Sequence, residues 1–361
     1  MGQPEGARYG VAVKLGLNLG YWGMGNDADN LALAREADEL GFAVVWAAEA
    51  YGSDAVTVLT WVAAQTTRID VGSAILQIPA RTPTMTAMTA ATLDTLSGGR
   101  FRLGLGVSGP QVSEGWHGVR FAKPLARTRE YVDIVTMALS RTRVRYNGQT
   151  YQLPLPDGPG KALHLMVHPI REHIPLYLAA VGPKNLELTG EIADGWLSIF
   201  FSTEFAHEQL DLLRAGRAKA GKTLDGFDVV ASAPMVVGED IAECAGPVRA
   251  YAALYIGGMG SREQNFYNDL AVRMGYAAAA ADVQQHYLSR DYDAASAAVP
   301  AEFVDATSLL GPPARIAERM AAYAAAGVTT LSVTPFAATM ADRVAALRVA
   351  AEALKRSGAA T

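Results

Sequence analysis

The sequence has little cysteine, little net charge and no long apolar run, and each shortage excludes a class of protein. Cys244 is the single cysteine among 361 residues, which excludes a disulfide framework and any metal site built from several cysteines. No stretch approaches the roughly 18 apolar residues of a membrane-spanning helix. The formal net charge of -5 offers no basic surface for nucleic acid or an anionic membrane. We therefore expect a cytoplasmic protein that binds neither nucleic acid nor a membrane.

What the sequence does contain is a regular alternation of apolar strands and amphipathic helices. Eight strand-like runs, from the one that begins at Val13 to the one that ends at Val333, alternate with helical patterns. Strands that are apolar on both faces and alternate with helices indicate a parallel sheet. Eight such units favour a closed (β/α)8 TIM barrel over an open doubly wound sheet. We predict one barrel domain over residues 13–355, preceded by a tail of residues 1–12.

Three segments interrupt this rhythm, at about 109–125, 143–175 and 260–300. The first two follow the fourth strand and the third follows the seventh. The pair Asn147-Gly148 between alternating runs is typical of a β-hairpin. Because active sites of such barrels lie at the carboxyl ends of the strands, all three insertions are expected to cap that end and form a pocket there. The aromatic side chains of Trp46, Trp116, Phe200 and Phe201 either give the pocket apolar walls or pack in the core.

Several residues at the predicted strand ends are candidates for chemistry. Glu49 is a carboxylate in an apolar run, which predicts either a ligand contact or a buried pair. The glycines of Gly104-Leu105-Gly106 permit either close packing or the approach of a flat ring. Residues 181–184, Val-Gly-Pro-Lys, end a strand and open a helix, which is either an anion cradle or an ordinary turn. His117 in the first insertion is either an acid/base residue or a structural histidine.

Other chemistries are not supported by the sequence. His164, His168 and His173 lack helical metal-ligand spacing because Pro169 lies between them, so no metal site is expected. No Gly-x-Ser-x-Gly elbow with ordered Asp and His partners occurs. Cys244 lies within a helical pattern and is expected to pack in the core.

Four passages of the sequence together resemble the luciferase-like flavin and deazaflavin oxidoreductases, and among them the class that depends on coenzyme F420. They are residues 41–49, residues 69–83, residues 96–106 and residues 175–184 with the continuation 191–196. The Ser-Gly-Gly-Arg motif at 97–100 and the Ala-Asp-Gly-Trp motif at 193–196 are specific for the superfamily. The resemblance extends over about residues 13–350 and implies a (β/α)8 barrel.

The resemblance also implies roles for individual residues. A non-prolyl cis peptide at the end of the third strand, matched here to Ser73–Ala74, would support one face of the cofactor ring, and Glu49 would lie beside it. Gly106 and Val107, which end the neighbouring strand, would also bind the cofactor, and the turn formed by Val181, Gly182, Pro183 and Lys184 would hold the cofactor phosphate. Ala50 stands where related sugar-phosphate dehydrogenases have a catalytic histidine, so that activity is not expected. His117 and Glu49 are the expected catalytic residues, with His117 as the acid/base or substrate-orienting residue.

The sequence thus predicts an F420-dependent oxidoreductase that transfers a hydride between F420 and an organic substrate. One alternative is an FMN-dependent monooxygenase that uses reduced FMN from a partner reductase together with O2. The other is a flavin-binding barrel without turnover, since a fold alone does not establish activity. Family members are often dimers, which implies a homodimer here.

Overall fold

A computed structural model describes residues 12–20 and 27–360 of the chain, so the predicted tail of residues 1–12 lies almost entirely outside the described residues. The strands are β1 (Lys14–Asn18), β2 (Val44–Ala47), β3 (Asp70–Ser73), β4 (Leu76–Gln77), β5 (Phe101–Gly106), β6 (Tyr146–Asn147), β7 (Gln152–Leu153), β8 (Leu176–Ala179), β9 (Gly195–Ser198), β10 (Asp228–Val237), β11 (Leu309–Gly311) and β12 (Thr330–Pro335). The helices are α1 (Asp27–Glu39), α2 (Ala55–Gln65), α3 (Pro83–Leu96), α4 (Pro110–Gly115), α5 (Pro124–Leu139), α6 (Pro183–Ile192), α7 (Ala206–Lys219), α8 (Ile241–Ala253), α9 (Phe266–Arg273), α10 (Ala277–Leu288), α11 (Tyr292–Ala297), α12 (Ala301–Ala306), α13 (Pro313–Ala325) and α14 (Met340–Arg356). No helix within the described ranges is long and apolar enough to cross a membrane.

Eight of the strands form a closed parallel barrel. In the order β1, β2, β3, β5, β8, β9, β10, β12, each pairs with the next, and β12 pairs with β1 to complete the ring. The predicted (β/α)8 fold is confirmed. The short strands β4 and β11 lie beside β5 and β10, and β6 pairs with β7 in the hairpin predicted around Asn147. The ends of the described chain meet, because Val13 N donates to Ala359 O at 2.7 Å.

Local sequence sets where the helices begin. The Asp54 carboxylate accepts a hydrogen bond from Thr57 N at 2.8 Å and caps α2. Thr82 caps α3 in the same way, with Pro83 in the first helical position, where its missing N–H costs nothing. These caps fix the entry of each helix directly after the carboxyl end of a barrel strand.

The barrel interior is filled by side chains. Trp46 is 1% exposed and packs edge to face against Tyr177, with ring centroids 5.3 Å apart. Gly72 makes room for Trp46, because a Cβ at that position would lie 2.3 Å from the indole ring. Trp46 is therefore a core residue, and so is the fully buried Phe201. Of the two interpretations left open for these residues, the structure supports core packing, since the close packing of the barrel leaves their rings no free surface.

The amino end of the barrel is closed by a polar network. Arg102 Nε lies 2.8 Å from Asp70 Oδ2, and its Nη1 lies 3.2 Å from Asp228 Oδ2. Tyr177 donates to the same Asp228 oxygen at 3.0 Å. Burial would lower the pKa of Arg102, but its electrostatic interactions with Tyr177, Asp70 and Asp228 raise it, so the guanidinium stays charged. These contacts stabilise the fold at this end of the barrel.

Residues 154–175 also lie at the amino end, so the prediction that they roof the pocket is wrong. Arg171 binds the fully buried Asp94 carboxylate at 2.5 Å and the carbonyl of Phe101, the first residue of β5. Leu103 N donates to Pro175 O at 2.9 Å. The segment connects the end of α5 to the start of β8, and both of these points lie at the amino end of the barrel. Arg171 and Pro175 then hold it there.

The other two insertions leave β5 and β10 at the carboxyl end of the barrel. Residues 107–123 contain α4, and residues 254–308 contain α9 to α12. The two meet where the ring of Phe121 lies 6.4 Å from that of Phe266, at an interplanar angle of 44°. We refer to residues 107–123 and 254–308 together as the roof.

Candidate active site at the carboxyl end of the barrel

Glu49 follows β2 and is bound on every side by the protein itself. Its side chain is about 5% exposed. One carboxylate oxygen accepts from Ala55 N at 3.2 Å, and the other accepts from Gln77 N at 3.0 Å and from the guanidinium of Arg81. Of the two readings that the sequence left open, the contacts favour the buried pair. Arg81 lies 32 positions from Glu49, and its position had no sequence signal.

Gln77 extends this network across the ends of three neighbouring strands. Its Nε2 donates to Ala50 O, after β2, at 2.7 Å, and its Oε1 accepts from Ser108 Oγ, after β5, also at 2.7 Å. Ser108 has a φ of +57°, a conformation that costs a non-glycine residue energy. We call Glu49, Gln77, Arg81 and Ser108 the polar half of the site. The sequence analysis identified only Glu49 among them.

The chain leaves the sheet after β3 through a cis peptide bond between Ala74 and Ile75. The prediction of a cis bond at Ser73–Ala74 is therefore wrong by one residue. The physical reason is that Ala74 N still donates to Ala47 O at 2.8 Å, which extends the ladder between β2 and β3 through residue 74. Ser73 belongs to the strand, and its Oγ bonds both N and O of Gly104 at 2.9 Å.

The glycines of β5 give room to this bend. A Cβ on Gly104 would lie 1.9 Å from Ser73 O, and a Cβ on Gly106 would lie 2.9 Å from the side chain of Ile75. The close-packing interpretation of Gly104-Leu105-Gly106 accounts for both contacts. The result is a fixed surface, made by Ala74, Ile75 and Gly106, at the mouth of the barrel.

The turn after β8 is an open helix N-terminus with cations nearby. Gly182 caps α6, and its carbonyl accepts from Asn185 N and Leu186 N, while a Cβ on Gly182 would meet nothing within 4 Å. Arg273 of α9 donates to Val181 O at 2.9 Å, which brings a roof residue to the turn. The sequence analysis did not identify Arg273.

This turn has the properties that an anionic group requires. Lys184 is exposed on the first turn of the helix. Asn185 Oδ1 is buried and has no partner among the described residues. The positive end of the helix dipole, two cations and open space together fit a phosphate.

His117 and Trp116 lie in the roof segment that follows β5. His117 is half-buried, and its Nε2 is buried without a partner among the described residues. A buried ring nitrogen without a partner is costly, so it marks a place where a ligand or water completes the site. Phe200 is 2% exposed and packs in the core, whereas Trp116 is 66% exposed and stays a predicted wall residue.

Within the described ranges no three His, Cys, Asp or Glu side chains lie together in a way that could hold a metal ion. His173 instead binds Asp194 at 2.8 Å at the amino end. Cys244 is buried in the core, as predicted.

Comparisons with known proteins agree with this architecture. Residues 18–330 match the family described as luciferase-like monooxygenase. A Mycobacterium tuberculosis protein named as a coenzyme F420-dependent oxidoreductase is 45% identical over 344 residues, which cover 93% of this chain and 99% of that protein. The 5,10-methylenetetrahydromethanopterin reductase of Archaeoglobus fulgidus is 31% identical over 81% of this chain and 85% of its own. The structure of the coenzyme F420-dependent tetrahydromethanopterin reductase from Methanopyrus kandleri superposes with a TM-score of 0.80 at 23% identity, covering 94% of this chain and 98% of that one.

Proposed function

This chain belongs to the luciferase-like monooxygenase family, and we propose that within it the protein is an F420-dependent oxidoreductase that transfers a hydride between F420 and a small organic substrate. The observation that carries the proposal is the 45% identity to a relative named for F420 dependence, along nearly the whole of both chains. The mouth of the barrel supports it, because it offers a flat backbone surface beside an anion-binding turn.

The residues at the mouth fit the parts of such a cofactor. Val181, Gly182, Pro183 and Lys184 would bind its phosphate through the helix N-terminus, with Arg273 as a second cation. The open space in front of Gly182 leaves room for that group.

The ring would lie on the surface made by Ala74, Ile75 and Gly106, beside Val107. Ser73 holds this surface in place through its bonds to Gly104, and Glu49 does so through Gln77. We therefore assign Ser73 and Glu49 to positioning of the ring, behind the residues that contact it.

When bound, F420 supplies a carbon centre in place of the reactive nitrogen of flavin, so hydride transfer is its available chemistry. The chain orients the reactants and excludes water. The roof covers the mouth where Phe121 meets Phe266. We assign to His117 the proton at the substrate oxygen, because its Nε2 is buried and lacks a partner among the described residues.

The test is a fluorescence titration of the purified protein with F420 and, separately, with FMN. We expect F420 to bind at least about tenfold more tightly, a difference of about 1.4 kcal/mol. Tighter FMN binding would favour the monooxygenase that uses O2 and a reductase partner. A protein that binds neither would contradict catalysis by either cofactor.

We also propose that the enzyme is a homodimer joined through α2 and α3. Trp61, Met85 and Met88 on these helices are each about half exposed, and large exposed apolar side chains on neighbouring helices are typical of an interface. Light scattering after size-exclusion chromatography should give twice the chain mass of 38.2 kDa. The Trp61→Glu variant should have the mass of a single chain. Leu155→Glu, at an exposed apolar residue elsewhere, should leave the mass unchanged. A monomeric wild-type protein would contradict the proposal.

A further inference from the structure

Residues 163–170, in the segment that connects the hairpin to β8, expose a cluster of large aliphatic side chains. Fifteen large apolar side chains are exposed among the described residues, and four of them fall within these eight positions. The four are Leu163, Met166, Val167 and Ile170, and Met166 is the most exposed of all fifteen, at 84%. Single exposed apolar side chains are ordinary on a protein surface, but a group of them marks an interaction site.

The backbone of this segment is fixed to the rest of the protein, so its exposed side chains are held in solvent. Ala162 and Leu165 are buried and anchor the segment from beneath. Val144 N donates to Leu163 O at 2.8 Å, and Arg141 Nε donates to Leu165 O at 3.3 Å. Because the backbone is already ordered, these aliphatic side chains can contact a partner with little further loss of conformational entropy.

Basic side chains lie beside the aliphatic ones. Arg143 Nη1 donates to Ala162 O at 3.3 Å, and both Arg145 and Lys161 are exposed. Residues 141–170 contain four Arg or Lys and one Asp, a formal charge of +3 in a chain whose total is -5. The expectation that the protein binds no membrane rested on that total, which does not reveal the local excess of positive charge. We call the four aliphatic residues together with Arg143, Arg145 and Lys161 the amino-end face.

The composition of the amino-end face favours a lipid surface over another protein. In a two-fold contact between copies of this chain the face would meet itself, and its cations would repel each other. Residues 161–170 contain no aromatic residue, whereas the side chains that dominate protein interfaces are mostly Trp, Tyr and Arg. Aliphatic side chains beside cations instead complement a bilayer, because the aliphatic groups enter the acyl boundary and the cations meet anionic headgroups.

We propose that the amino-end face docks the protein on a membrane surface that contains anionic lipids. The contact is peripheral and requires no spanning helix. Because the segment lies at the amino end of the barrel, docking leaves the mouth at the carboxyl end facing the aqueous phase, from which it can take up its ligands. This docking is independent of the cofactor and of the proposed function.

The test is co-sedimentation of the full chain with lipid vesicles at low ionic strength. One set of vesicles contains equal amounts of phosphatidylglycerol and phosphatidylcholine, and the other contains phosphatidylcholine alone. We expect the anionic vesicles to bind the protein at least about tenfold more tightly, because each Lys or Arg near an anionic surface contributes about fivefold. Added salt should remove most of this difference, since it screens the charges.

Three variants separate the aliphatic contribution from the charge. Met166→Ser should weaken binding to the anionic vesicles about fivefold or more, because the most exposed side chain no longer enters the acyl boundary. Arg145→Gln and Lys161→Gln should each weaken it about fivefold and leave the affinity for neutral vesicles unchanged. All three should unfold in urea at the wild-type midpoint, which shows that the fold is intact.

Leu288→Ser is the matched control. Leu288 is also an exposed aliphatic side chain, but it lies on α10 in the roof, at the other end of the barrel. This variant should bind both kinds of vesicle as the wild type does. Equal affinity for the two kinds of vesicle, or a Leu288→Ser defect as large as that of Met166→Ser, would overturn the inference. Failure to bind either kind would also overturn it and would favour an acidic protein as the partner of this face.

Discussion

At the scale of single residues, Glu49 illustrates how a carboxylate at a strand end can be either catalytic or structural. Its oxygens are occupied by two backbone amides and by Arg81. A group held in this way is a poor proton donor or acceptor, because transfer would break the bonds that fix it. The structure therefore favours a positioning role, which a conservative substitution can test.

Glu49→Gln should destabilise the protein by about 3 kcal/mol, because it leaves the half-buried Arg81 facing a neutral partner. We expect F420 affinity to fall as Gln77 loosens. Urea unfolding and F420 titration measure the two effects. Asp54→Asn, which removes the more exposed partner of Arg81, is the control and should cost less than about 1 kcal/mol. A Glu49→Gln protein of wild-type stability without turnover would instead identify Glu49 as catalytic.

His117→Ala should lower turnover about a hundredfold, the ordinary contribution of one acid/base group. F420 affinity should stay unchanged, because the histidine is assigned to the substrate side. Steady-state kinetics with F420 and a substrate that the enzyme turns over would measure kcat and KM separately. Unchanged turnover and substrate affinity would mean that His117 is structural.

At the scale of elements, Asp38 attaches α1 to the connection between α2 and β3. Its carboxylate accepts from the backbone N–H groups of Thr67, Arg68 and Ile69, at 2.9, 2.9 and 2.6 Å. Burial would raise the pKa of Asp38, but the hydrogen bonds from Thr67, Ile69 and Arg68 outweigh it and lower the pKa below its ordinary value.

This lowered pKa makes the contribution of Asp38 dependent on pH. The stabilisation is complete above the unfolded-state pKa of about 3.9 and is lost as the pH falls through the lower folded-state pKa. Asp38→Asn should therefore cost about 1–3 kcal/mol at neutral pH, and its difference from the wild type should narrow below about pH 4. Chemical unfolding at several pH values measures this. Asp211→Asn, in an exposed ion pair, should stay within about 0.5 kcal/mol of the wild type at every pH. A constant difference for Asp38→Asn would contradict the assignment.

Alternation predicted the barrel because each strand is buried on both faces, and runs such as Val44–Ala47 are apolar throughout. It could not place residues 154–175, because a chain of that length can reach either end of the barrel and only the contacts of Arg171 and Pro175 decide between them. The three-residue strand β11 is too short to leave a periodic pattern. Arg81, Gln77 and Arg273 escaped notice because their partners are distant in sequence.

For the whole molecule, contacts at the amino end of the barrel stabilise the fold, and residues at the carboxyl end are assigned to ligand binding. Arg171 and Asp94 belong to the stabilising end, and Asp94 is fully buried. Arg171→Met should destabilise the protein by about 3–5 kcal/mol, because it leaves that charge unpaired, with no change in F420 affinity. Adding Asp94→Asn should recover part of the loss. A change in F420 affinity, or no recovery of stability in the double variant, would contradict these separate roles of the two ends.

The bond between Val13 and Ala359 has a consequence for engineering. Since the two ends of the described chain already lie side by side, a short linker can join residue 360 to residue 13, and the chain can be reopened elsewhere. The exposed stretch around Asp157 and Gly158 lies away from the mouth and is a suitable place for the new termini. Such a circular permutant would keep every barrel strand in its register. In it, β1 would no longer be the first strand to be synthesised.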